Sequence, residues 1–153
     1  QETSMTFFLK LLKWIYNRIY FKLGLLAGIV SCSIVGYINF HHGMYEAMGA
    51  FSRQFMFNLL MGGYTGQLCQ RIALNIQKRW LALPLATLIP TIVAFIGVFS
   101  VHYYLGTPEP VDSTIWQVYA NICIFFSMAY VFHEQLQEKY KWIDLVFGNR
   151  QIK

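Results

Sequence analysis

Apolar positions in this chain come in runs too long and too continuous to be the inward faces of a soluble fold. Four stand out, at residues 23–40, 46–76, 81–105 and 114–133, each bounded by polar or turn-forming residues. At about 1.5 Å of rise per residue, each comes close to or exceeds a hydrocarbon layer about 30 Å thick. The pattern predicts an all-α membrane protein: a four-transmembrane-helix antiparallel bundle in a single membrane domain. Residues 5–22 and 134–148 are amphipathic instead. Lys10, Lys13 and Asn17 share one side of the first segment, and Leu136, Tyr140, Ile143 and Phe147 keep helical spacing in the second. Both predict cytoplasmic helices lying in the interface, anchored by Trp14, Tyr16, Tyr20, Tyr140 and Trp142. Met5 is a natural start, and the four residues before it are given no structural role.

Small residues divide the first two runs into faces. Gly24, Gly28, Cys32 and Gly36 recur at every fourth position, which lets another helix backbone approach closely. The run from Ala47 to Leu74 predicts the central helix, with Gly62, Gly66, Cys69 and Ala73 on one face, bordered by Gln54, Asn58 and Thr65. Arg53, Leu60, Tyr64, Gln67 and Arg71 fall on the opposite side. Helix packing is therefore expected at Gly24, Gly28, Gly36, Gly62 and Gly66. Gly43 is expected to cap a very short turn, and Pro90 to kink the third run, with Thr87 or a neighbouring helix covering the freed carbonyl. Thr114 and Gln117 have capping-box spacing, which would start the fourth helix at 114. Residues 29–32 match the short pattern before a lipidated cysteine, but the apolar run continues to Phe40, so 23–40 predicts an uncleaved span.

Composition strengthens the membrane reading. The chain is 56% hydrophobic and only 12% charged, too few polar residues to cover a soluble domain of 153 residues. A net charge of +5 raises the question of nucleic acid, but the basic residues flank the apolar runs and form no single patch, so none is expected. Residues 41–46 and 106–114 hold Glu46, Glu109 and Asp112 and no Lys or Arg. The positive-inside bias then places both termini in the cytoplasm, with the protein in the cell (inner) membrane. Cys32, Cys69 and Cys123 lie within apolar runs without paired spacing and predict free thiols.

Three polar groups are candidates for chemistry. Arg53, inside a span, needs a partner or an interface; it predicts either a pair with Glu46 or Asp112, or a contact to an anionic lipid or solute. Gln54, Asn58 and Gln67, with Thr65 and Asn121, predict hydrogen bonds across helices or a polar path. His41, His42, Glu46 and His102 alone resemble a metal or acid/base site. They lack HExxH or CxxC spacing, and adjacent histidines point apart on a helix, so interfacial hydrogen bonding is expected, with no metal and no cofactor. The sequence contains no catalytic signature. It favours a non-enzymatic multi-pass subunit that assembles through its glycine faces with further copies or with other membrane-protein subunits. A transporter or channel component using Arg53 and the polar face of the second span is the alternative, followed by a membrane enzyme using the histidine group.

Overall fold

The computed structural model describes residues 21–134, together with Thr6 and Lys10. Most of the two expected interfacial helices lies outside the described residues. Helix α1 spans Phe21–Ile38. A 3₁₀ turn, Phe40–His42, ends at Gly43, whose φ of 109° suits a residue without a Cβ and whose N–H closes on the Phe40 carbonyl at 3.0 Å. Helix α2, Met44–Phe57, passes through a π turn, Asn58–Gly62, directly into α3, Gly63–Asn75. Helices α4, Arg79–Tyr104, and α5, Asp112–His133, complete the described fold. It is all-helical, with no strand among the described residues.

Two of these helices are long and apolar enough to cross a membrane: α4, with 26 residues and mean hydropathy 2.2, and α5, with 22 residues and 1.5. Helix α1 is apolar but shorter. The upper end of the bundle gathers the turn at 39–43 and the loop at 105–111, where the Glu109 N–H donates to Asn39 Oδ1. The lower end gathers the connection at 76–78 and the end of α5. There His133 Nδ1–H donates to the Ala73 carbonyl at 3.1 Å, and Arg79 pairs with Glu134 at 3.1 Å while lying over the Tyr130 ring.

Helix α1 packs along α2 and the π turn, α3 packs on α4 and α5, and α4 on α5, whereas α1 and α5 scarcely meet. The glycine row makes the first of these contacts possible. A Cβ on Gly24 would stand 2.6 Å from the Leu59 carbonyl oxygen and 2.9 Å from that of Asn58, both fixed backbone atoms. Gly62 lies against the Gly24 Cα, Gly28 against the Phe55 ring and Gly36 against Phe51; Gly66 is buried in α3. Gly24, Gly28, Gly36 and Gly62 thus pack helices of the same chain.

The distribution of side chains is inverted relative to a soluble protein. Buried positions among the described residues are as often polar as apolar, and most of the apolar ones are small. Large aliphatic and aromatic groups face outward, among them Val30 at 60% and Ile96 at 59% exposure. A single apolar cluster, Cys69, Ala73, Ala86, Phe125, Met128, Ala129 and Phe132, fills the lower half.

Two local expectations are corrected. Thr87 Oγ1 donates to the Leu83 carbonyl and Thr91 Oγ1 to that of Thr87, so Thr87 does not cover the Ala86 carbonyl freed by Pro90. Thr114 and Gln117 form no capping box: α5 begins at Asp112, the Thr114 hydroxyl donates to the Pro110 carbonyl, and Gln117 turns into the bundle. Gln67, placed with Tyr64 on the second of two interior-facing candidate sides, is buried, as are Gly66, Cys69 and Ala73 on the glycine side, while Tyr64 is exposed.

Candidate functional site

Six side chains, from three helices, the π turn and one loop, make a continuous hydrogen-bonded chain, buried except at Arg53, which is half-buried. It starts at Arg53 in α2, whose Nη1 donates to Thr107 Oγ1 at 3.0 Å. Thr107 is held in the 105–111 loop by its own N–H, which donates to the His102 carbonyl at 2.9 Å. Its hydroxyl is 2.9 Å from His102 Nδ1, and His102 Nε2 is 2.7 Å from Gln54 Oε1. Gln54 Nε2 donates to Gln117 Oε1 at 2.8 Å, and Gln117 Nε2 to Asn58 Oδ1 at 3.2 Å. Gln54 and Asn58 can both take part because residues four apart share a helix face. Gln54 and His102 have no exposed surface.

The direction of this chain is set at its Arg53 end. A guanidinium only donates, so Thr107 Oγ1 accepts from it and has its own proton free for His102 Nδ1. In the neutral ring the remaining proton is on Nε2, where it meets the Gln54 oxygen. Each later amide accepts on one side and donates on the other, and in a low-dielectric interior such links polarise one another. The chain ends as a donor, Asn58 Nδ2, which is buried and has no hydrogen-bond partner among the described residues. Protons do not travel this way, since the three terminal links are carboxamides; what is transmitted is hydrogen-bond polarity.

Asn58 and Gln117 also line a cavity of about 320 Å³. It lies where α1 and α5 scarcely meet, between Leu26, Ala27 and Val30 on one side and Ala120 and Ile124 on the other, with Thr65 and Asn121 also in its lining. The volume falls at the small end of ligand pockets, and the composition, apolar walls with a few convergent polar groups, is typical of them.

Of the residues singled out in the sequence, Arg53, Gln54 and Asn58 therefore come together, while Gln67 is buried farther along, on α3. The described partner of Arg53 is Thr107, in place of the expected Glu46 or Asp112. His102 does not join His41 and His42: it faces inward to Gln54 and Thr107. Glu109 takes its place, with Oε1 3.0 Å from His42 Nε2 and 3.6 Å from His41 Nε2. The hydrogen bond from His42 is the largest influence on Glu109, and with the charge of both imidazoles it holds the carboxyl below its ordinary range, against a smaller desolvation effect. The buried Asn39 fixes this corner, with Nδ2 donating to Ser113 Oγ at 2.8 Å and to the Val35 carbonyl at 2.9 Å.

Gln117, Thr107 and Asn39 were not among the expected site residues. For Gln117 a signal existed: it is an amide in an apolar run, four residues before Asn121 on the same face. Thr107 and Asn39 depend on loop geometry, which leaves no periodic trace. Compared with known proteins, the chain matches no family model, and searches of curated proteins and of solved structures give no significant match.

Proposed function

We propose that this chain is a multi-pass membrane protein whose helices form a four-span antiparallel bundle, and that it binds a lipophilic amphiphile between α1 and α5. The membrane reading is supported by the inverted distribution of side chains, since so much large apolar surface needs lipid or another apolar surface against it. Arg71, Lys78 and Arg79 stand toward the lower end, and Glu46, Glu109 and Asp112 toward the upper, which favours a cytoplasmic lower end with both termini there.

The observation that carries the binding reading is the end of the polar chain. The chain ends on an unpartnered buried donor, Asn58 Nδ2, and Asn58 is among the residues around an apolar-walled cavity. The complementary ligand has an apolar chain or ring system and one neutral hydrogen-bond acceptor, such as a carbonyl or ester oxygen, facing Asn58 Nδ2. A charged head group is not required there, because the cation of the network is at its other end. Assembly with a second protein has less support, because the glycine faces on which it was expected are filled from within the chain.

Protein extracted in a mild detergent, examined by native mass spectrometry and by mass analysis of its organic extract, tests this. One amphiphile class should be retained at about one molecule per chain, lost on Ala120→Trp, which fills the cavity, and depleted on Asn58→Leu. Extracts that match the bulk membrane in composition, and are unchanged by both substitutions, would overturn the reading. A different protein in fixed ratio with no retained amphiphile would replace it with the subunit reading.

A further inference from the structure

The upper corner holds a second group of side chains, which the binding reading does not use. His41 and His42 end the 3₁₀ turn after α1, and Glu109 reaches them from the loop between α4 and α5. Adjacent residues on a helical turn ordinarily direct their side chains apart. Here the imidazole rings lie with centroids 4.0 Å apart, and both Nε2 atoms converge on one carboxylate oxygen.

We infer that His41, His42 and Glu109 form a binding site for a divalent transition-metal ion of the zinc type, which clasps the 39–43 turn to the 105–111 loop. The three ligand atoms all lie within 4.8 Å of one another. Around a tetrahedral ion with bonds of about 2.0–2.1 Å, neighbouring ligand atoms are separated by about 3.3–3.4 Å. The observed 3.0 Å and 3.6 Å to Glu109 fall on either side of that value, and the two histidine ligand atoms, within 4.8 Å of each other, are on exposed side chains that can rotate to close the set around the half-buried Glu109. Two imidazoles and a carboxylate suit zinc, and also copper, nickel or iron, and do not suit magnesium or calcium, which prefer all-oxygen shells. The site leaves a fourth position open to solvent.

The surroundings are organised to hold the ligands in place. The Glu109 backbone is tied to Asn39, and Asn39 in turn to Ser113 at the start of α5, so the carboxylate is presented from a loop fixed at both ends of its reach. Partners behind a ligand fix its orientation and commonly change metal affinity by about 10–100-fold. The same loop carries Thr107, the link between Arg53 and His102. An ion at the corner would therefore steady the entrance of the buried polar chain.

The test uses the full chain in detergent, without a polyhistidine tag, equilibrated with zinc and passed over a chelating column before elemental analysis. About one zinc per chain should remain, and His42→Ala combined with Glu109→Gln should remove it. Cobalt(II) should give the visible absorption of a four-coordinate site in the wild type and lose it in the double variant. Zinc should also slow amide exchange at 39–43 and 105–111. No bound metal, or equal metal and unchanged exchange in the double variant, would overturn the assignment. Because the cavity is elsewhere, its retained amphiphile should survive the double variant, which keeps the two readings separable.

Discussion

The two halves of this bundle are held together by different means. In the lower half, Phe125, Met128, Phe132 and their small neighbours interlock without needing polar partners. In the upper half, Gln54, His102 and Gln117 occupy equally buried positions, joined by directional bonds. The lower half tolerates any filling of the right shape, because dispersion is non-directional. The upper half tolerates only one arrangement of donors and acceptors, because each buried polar group left unpaired costs about 1–3 kcal/mol. In lipid, where apolar surface gives helices no hydrophobic reason to associate with one another, packing and polar contacts must supply what burial supplies in water.

The most damaging way to probe this contrast is to empty the lower half. Phe132→Ala should destabilise by about 3–5 kcal/mol in unfolding from mixed micelles, whereas Phe132→Leu should lose much less, since volume is what counts there. Next is Gln54→Met, similar in size yet expected to cost about 2 kcal/mol, because it leaves His102 Nε2–H and Gln117 Oε1 without partners. A methionine at 54 that unfolds at the same point as the wild type would erase the distinction between the halves. Arg53→Ala, which opens the network only at its end, should cost about 1 kcal/mol by the same measurement and leave helix content unchanged.

The smallest effect is at the exposed corner. Glu109 has its folded pKa lowered from 4.5, so its contribution is fully present above that ordinary value and is lost as pH falls through the lower, folded one. Amide protection at 105–111, measured relative to the intrinsic exchange rate at each pH, should fall over that acidic window in the wild type. It should show no such step in Glu109→Gln.

How far the sequence foretells this structure depends on whether a feature repeats. The helical character and the close approach of α1 to the central helix were readable, because apolar runs and glycines at every fourth position leave periodic traces. The π turn is not readable, because nothing in Asn58–Gly62 announces it, and pattern alone does not separate Gln67, which is buried, from Tyr64, which is exposed on the same side of the run. His102 was grouped with His41 and His42 because it comes from the same end of the bundle. Position along the axis was correct for that grouping, but rotation about the axis was not, and the loop brought Glu109 instead. Gln117 was misread because a capping-box spacing and an inward-facing amide look alike in one dimension.

The π turn also bears on how this chain can change over generations. Removing one residue from 58–62 would let the turn relax to a regular α-helix with α3 in the same rotational phase, because the π turn takes up the extra residue; one further residue carried through a regular helix would turn α3 by about 100° relative to α2. In that case Cys69 and Ala73 would leave the lower cluster, while Gln54, on α2, kept its place in the upper network. Substitutions can adjust either half by degrees, but the length of the chain through these five residues changes only in whole steps, and the π turn makes the loss of one residue the step the fold can absorb.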